Sequence, residues 1–230
     1  MVSRNLELLD EAARLLKPML AELVFVGGST TALLITDPAA AEVRPTYDVD
    51  AIAEITSYAA YGQFSERLRQ IGFHEDTGEG APICRWRQNQ TVLDVMPLDE
   101  KILGFSNRWY RGAINSASEI QLQPELRIRV VDAVYFCATK LEAFKHRGNG
   151  DYFSSHDLED LLAVIDGREQ LADELQAAEP AVRSYIASAF EALLASSEFV
   201  DALPGHLLPD PASQARITFL LERIRKIAAL

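Results

Sequence analysis

Apolar positions along the chain fall into two alternating regimes. From about residue 3 to 20, Leu6, Leu9, Ala13, Leu16 and Leu20 recur at helical spacing, and the segment carries Glu7, Asp10 and Glu11 within its amphipathic pattern. It therefore predicts a helix and not a signal peptide. "ELVFVGG" is a short β-branched and aromatic run closed by glycines, hence a buried strand. "STTALLI" reopens with Ser29 as a helix N-cap, and the prolines of "DPAAAEVRPT" mark a loop. "YDVDAIAEI" predicts a second strand, and "SYAAYGQFSERLRQIGF" a helix stopped near Gly72.

Further on, "CRWRQ" and "TVLDVMPL" predict a hairpin turning at "QNQ". "LRIRVVDAVYFCATKLEAFKHR" joins a short strand to a helix, and "SSHDLEDLLAVID" opens another helix with Ser155 as its cap. From about residue 169 the chain is helical and acidic, ending in the amphipathic "ARITFLLERIRKIAAL", a core or oligomer-contact helix. The expected class is α+β: a small, early mixed sheet flanked by helices over residues 1–135, then a mainly helical region over 136–230.

Composition narrows the partners. Nearly half of the 230 residues are hydrophobic, enough for a sizeable core, yet no apolar run reaches the roughly 18–20 residues that span a bilayer. No membrane role is expected. Cys84 and Cys137 lie far apart without zinc-like spacing, which makes a reducing, cytoplasmic home the default. A net charge of −12 argues against general coating of nucleic acid. The charge is uneven, however: residues 101–150 hold eight Lys or Arg against four acids, and residues 151–230 six against fourteen. A local anion site in the middle of the chain is compatible with that distribution.

The chemistry concentrates around a glycine turn and two nearby acids. Residues two apart on a strand share a face, so Asp48 and Asp50 project together and repel unless a cation lies between them. Asp94, within "TVLDVMPL", joins them if its strand pairs beside "DVDAI". Such an all-oxygen set suits Mg²⁺ or Mn²⁺ carrying a substrate's phosphates. Gly27, Gly28 and Ser29 form a turn whose N–H groups and hydroxyl suit a phosphate. Taken singly, an Asp-x-Asp is usually a solvated strand face and a Gly-Gly-Ser a plain turn. Their order and spacing together carry the functional reading.

The order GGS, DVD, LDV resembles the polymerase-beta-like nucleotidyltransferase superfamily. More narrowly, "VGGSTTALLI…RPTYDVD" with "KLEAFKHRGNGDYFSSHDLEDLLAVID" looks like the AbiEii-type nucleotidyltransferase toxins of bacterial toxin–antitoxin and phage-defence systems, over roughly residues 22–166. The resemblance implies a nucleotidyltransferase sheet that transfers a nucleoside monophosphate from a nucleoside triphosphate to a hydroxyl. The acceptor it implies is an RNA 3′ end, such as that of transfer RNA, or a protein side chain. It implies Arg44 and Thr46 beside the nucleotide, Lys140 as a cation for the triphosphate, and Asp157 as a base or as the group holding Lys140. A cognate antitoxin would be the partner. Here Arg147 stands ten residues before Asp157 and His156 directly precedes it, unlike the joined Arg-Asp of the family pattern. Asp160 caps, pairs with Lys145 or Arg147, or faces solvent.

Two basic clusters remain open to two readings. "FSNRWYRG", with Arg108, Trp109, Tyr110 and Arg111, and "CRWR", with Arg85 and Arg87 on one strand face, are either nucleic-acid contacts or ordinary half-buried segments. A small-molecule acceptor and a non-catalytic partner-binding module of the same fold are the rival functions.

Overall fold

The structure, a computed structural model, describes residues 4–230; residues 1–3, where the predicted first helix begins, lie outside the described residues. The strands are β1 (Leu23–Val26), β2 (Val49–Ala53), β3 (His74–Glu75), β4 (Arg85–Gln88), β5 (Thr91–Pro97), β6 (Ser118–Gln123) and β7 (Leu126–Val130). The helices are α1 (Arg4–Leu15), α2 (Thr31–Leu34), α3 (Tyr58–Gln70), α4 (Glu100–Leu103), α5 (Tyr110–Ser116), α6 (Ala133–Arg147) and α7 (His156–Gly167). They continue with α8 (Leu171–Ala177), α9 (Pro180–Leu194), α10 (Ser197–Ala202), α11 (Pro211–Ala215) and α12 (Ile217–Ala228). The class is α+β. Two compact units divide the chain, one comprising the residues up to Thr30 with Pro45–Asp132, the other Thr31–Arg44 with Ala133–Leu230.

The first unit is built on one seven-stranded mixed sheet in the order β3-β4-β5-β2-β1-β7-β6. Every residue of β1 and β5 is buried, as continuous apolar runs in central strands require. β1 runs antiparallel to β2 and parallel to β7, and β2 runs parallel to β5. α1 lays Leu9, Ala12 and Ala13 into the core, where Phe25, Leu68 and Trp86 are also fully enclosed. A large apolar side chain buried in this way contributes about 1.5–3 kcal/mol. The hairpin β4–β5 turns at Asn89, whose positive φ of 54° fits the short connection. Ser57 caps α3 by accepting a hydrogen bond from the Ala60 amide.

Two features of this unit differ from expectation. The sheet is larger than the small early one predicted, because β6 pairs with β7 as an edge strand. β6 carries Glu119, Gln121 and Gln123 and buries none of its residues, so its sequence lacks the apolar signal of a strand. Second, the segment Arg108–Arg111 enters a helix and not a half-buried strand or loop. The Asn107 carbonyl and side-chain oxygens accept from the amides of Tyr110 and Trp109, and this turn starts α5.

The second unit is helical. α6 packs against α7, and Ser155 caps α7 through the Leu158 amide. α12 buries Leu220, Ile224 and Ile227, so the terminal amphipathic helix is core. The excursion Thr31–Arg44 belongs to this unit for visible reasons. The amides of Thr36 and Asp37 both donate to the Gly167 carbonyl, and Arg216 joins Asp37 to Asp166. Gly167 ends α7 so close to the excursion that a Cβ there would lie 2.7 Å from Ile35 Cγ2. No helix among the described residues is long and apolar enough to cross a membrane.

Candidate functional site

The acids of the first unit meet across three neighbouring strands. Asp50 on β2 is the register partner of Asp94 on β5, and Asp94 in turn is the partner of Arg85 on β4. Directly paired residues project to one face about 4.7–4.9 Å apart, so Arg85, Asp94 and Asp50 form a row across the sheet. On the far side of Asp50 stands Val26, the residue before the glycine turn. The row thus ends against Gly27. That residue has φ +72°, and a Cβ placed on it would fall 2.0 Å from Asp50 Oδ2. Only a glycine lets the turn and this carboxylate approach so closely.

Asp48 lies just outside β2 and is drawn to the same cluster. Its Oδ2 accepts from the Arg85 guanidinium at 2.7 Å, and its Oδ1 accepts from the Thr46 hydroxyl at 3.0 Å. Arg85 also forks onto Asp94, with Nε and Nη2 each 2.8 Å from a carboxylate oxygen. One nitrogen, Nη2, therefore touches both acids. The hydrogen bonds Arg85 donates to Asp94, followed by the charges of Asp94 and Asp48, raise the pKa of Arg85 above its already high value despite partial burial. Its charge is permanent. Burial and then the Asp94 and Asp50 charges push the neighbouring Cys84 thiol up to about 12.

Asn5 on α1, almost fully buried, ties the two loops of this cluster together. Its amide group donates to the Gly28 carbonyl at 3.4 Å, and its oxygen accepts from the Thr46 amide at 2.9 Å. The turn itself is a 3₁₀ segment, Gly28–Thr30, followed by the four-residue α2. Ser29 is not an N-cap: it is buried, and its hydroxyl points back to the Val26 carbonyl at 3.5 Å. A one-turn helix accumulates little dipole, so any phosphate contact there would rest on backbone amides alone.

Lys140 and Asp157 belong to the second unit, in an ion chain of their own. Arg44 forks onto Asp160 with two 2.9 Å bonds, and Lys140 Nζ reaches Asp160 at 2.6 Å and Asp157 at 3.2 Å. Arg147 forks onto Asp157 with two 2.8 Å bonds. Asp157 and Asp160 sit three apart on α7 and so share the face turned to Lys140 on α6. Asp157 is in direct ionic contact with Lys140. Burial alone would raise the Asp157 carboxyl, but the Arg147 hydrogen bonds and the Lys140 and Arg147 charges outweigh it, leaving the pKa lowered. Asp160, at 1 % exposure, neither caps nor faces solvent, and its partners are Arg44 and Lys140 in place of Lys145 or Arg147. His156 is an exposed first-turn residue beside Glu159.

The other basic residues are also engaged: Arg87 pairs with Asp76, Arg111 with Glu54, and Arg108 lies over the Trp109 ring. Sequence reasoning missed Arg85 and Asn5. Arg85 was seen only as one of two arginines on a strand face, with no partner named. Asn5 had a legible signal, since it stands four residues before Leu9 on the apolar stripe of α1, where an amide must find partners.

Among the described residues, no group of three or more His, Cys, Asp or Glu side chains is disposed to hold one metal ion. Asp48 and Asp94 are arranged about the Arg85 guanidinium, a cation standing where two carboxylates converge. Their oxygen donors, with Asp50 alongside, fit the chemistry of a hard divalent ion. A scan of known protein families finds no match to the chain, and a search of characterised proteins finds none.

Proposed function

We propose that the protein is a metal-dependent nucleotidyltransferase acting on a hydroxyl acceptor, an RNA 3′ end or a protein side chain. The observation that carries the reading is the in-register row Asp94–Asp50 ending on the Gly27 turn, with Asp48 drawn to the same face. A chain that needed only a solvated strand face would not set Asp94 in register with Asp50, rest Asp50 against a glycine turn and tie Asp48 to the same Arg85 guanidinium.

In this reading Asp48, Asp50 and Asp94 hold Mg²⁺ or Mn²⁺, which supplies charge neutralisation of the phosphates and a lowered pKa for the acceptor hydroxyl. Thr46 fixes the Asp48 carboxylate through Oδ1, leaving Oδ2 directed at the row. Asn5 sets the spacing between the glycine turn and the Thr46 segment, and so the distance from phosphate contact to carboxylates. The backbone of Gly27 and Gly28 offers close approach for the triphosphate. The acceptor oxygen forms its bond to the α-phosphorus as the bond to pyrophosphate breaks. The protein's contribution is positioning and charge, not covalent chemistry.

The test incubates the protein with α-³²P-labelled nucleoside triphosphates, Mg²⁺ and pools of RNA or protein, beside Asp48→Ala, Asp50→Ala and Asp94→Ala. Transfer by the parent chain alone supports the proposal and names the acceptor class. Equal transfer by Asp94→Ala removes Asp94 from the site, and no transfer to either pool turns the search to small-molecule hydroxyls.

A further inference from the structure

Arg85 stands out once the row is drawn, because it satisfies the acids that the reaction would need free. Its Nη2 lies 2.7 Å from Asp48 Oδ2 and 2.8 Å from Asp94 Oδ2, while Nε holds the second Asp94 oxygen at 2.8 Å. Both Asp94 oxygens are thereby engaged by the guanidinium. An arginine fork of this kind is among the stronger charge-assisted arrangements, and its geometry is fixed by the planar guanidinium. The side chain is 21 % exposed, so it has a route to solvent, whereas Asp94 at 9 % does not.

We infer that Arg85 is a resident counter-ion of the acidic row, and that a divalent cation gains Asp48 and Asp94 only by displacing it. The inference rests on the metal-dependent reading above and assigns Arg85 a positioning role in it. Two positive groups cannot share the space between two carboxylates without repelling, so metal and guanidinium exclude each other. Without metal, Arg85 relieves the repulsion among the acids and holds Asp48 and Asp94 in place. With metal, the guanidinium moves outward, and its two-pronged donor face suits the phosphate oxygens of an incoming nucleotide. The residue thus keeps the site assembled yet closed to stray cations, and couples metal capture to a second, anionic ligand.

The experiment is Mn²⁺ binding followed by loss of the free-ion electron paramagnetic resonance signal, without nucleotide, on the full chain and on Arg85→Gln, Arg85→Lys and Arg85→Gln/Asp94→Asn. Circular dichroism melting confirms that each variant is folded. Arg85→Gln should bind Mn²⁺ about tenfold more tightly or better, with Arg85→Lys between it and the parent, because lysine keeps the charge but loses the fork. The added Asp94→Asn should abolish the gain. If Arg85→Gln fails to fold, the comparison of Arg85→Lys with the parent decides the question by the same sign. Equal Mn²⁺ affinity in the parent and in the folded Arg85 variants, lost on Asp94→Asn, overturns the inference and leaves the metal site standing. No binding by any variant at millimolar Mn²⁺ overturns both.

Discussion

Replacing Gly27 by alanine tests the close approach on which the acidic row depends. The added Cβ meets Asp50 three times over, at 2.0 Å from Oδ2, 2.7 Å from Cγ and 2.9 Å from Cβ. Turning the Asp50 carboxylate relieves the first two contacts. It cannot relieve the third, because Asp50 Cβ is fixed to β2, a central strand paired on both sides. The φ of +72° adds about 1–2 kcal/mol for a residue bearing a Cβ, and forcing an extra carbon into a packed place adds about 1–3 kcal/mol. Gly27→Ala should therefore lower stability by about 2–5 kcal/mol, read as a shift in urea midpoint. Gly80→Ala isolates the backbone term: its φ is +78°, and nothing lies within 4 Å of its Cβ position. It should cost only about 1–2 kcal/mol. In the cycle with Asp50→Gly, the collision disappears and the two changes should couple by about 1–3 kcal/mol. If Gly27→Ala proves no more costly than Gly80→Ala, or shows no coupling to position 50, the carboxylate does not rest against the turn.

Four further expectations rest on the ion pairs and the thiols. Asp160→Asn removes the acid shared by Arg44 and Lys140 and should cost about 3–5 kcal/mol, since each cation loses its shortest charge-assisted contact in a largely buried setting. Lys140→Met should cost about 1–2 kcal/mol, because Asp157 keeps Arg147 and Asp160 keeps Arg44; urea unfolding of both variants side by side checks the order. The lowered Asp157 pKa contributes stability that is complete above the unfolded value of about 3.9 and is lost as pH falls through the folded value. Arg147→Ala leaves the raising effect of burial less opposed, so the acid limb of unfolding followed by fluorescence should move to higher pH. Cys84, its pKa pushed up to about 12, and the buried Cys137 should resist iodoacetamide at pH 8 and react only in denaturant, as intact-mass measurement reads directly.

The pattern of the chain announces the strands that carry the site because they are apolar and sharply bounded. β1 ends on two glycines, β5 is a seven-residue buried run, and the β4–β5 hairpin turns where "QNQ" stands. Pairing of β5 beside β2 is not written locally, since a parallel neighbour is chosen by packing over a long separation. It is this pairing that sets Asp94 against Asp50. Partner choice among charges is equally non-local. Nothing near Arg85 in the sequence designates Asp48, and nothing near Asp160 designates Arg44, which lies 116 residues earlier. The polar edge strand β6 escapes notice because it buries nothing. The reading of Ser29 as a cap fails because the chain makes a 3₁₀ turn there, burying the hydroxyl toward Val26.

The excursion of Thr31–Arg44 into the second unit bears on the order in which the protein comes into being. During synthesis the strands and α1 of the first unit are complete once Asp132 has emerged, yet Arg44, Thr36 and Asp37 then still wait for Asp160, Gly167 and Arg216. A nascent chain halted near residue 132 would expose that excursion before the Asp160 and Arg216 that pair with Arg44 and Asp37 exist, a segment open to proteases and chaperones alike. A gene divided at the same point would leave the helical half without Arg44, so the two halves are better regarded as one product of translation than as separable modules.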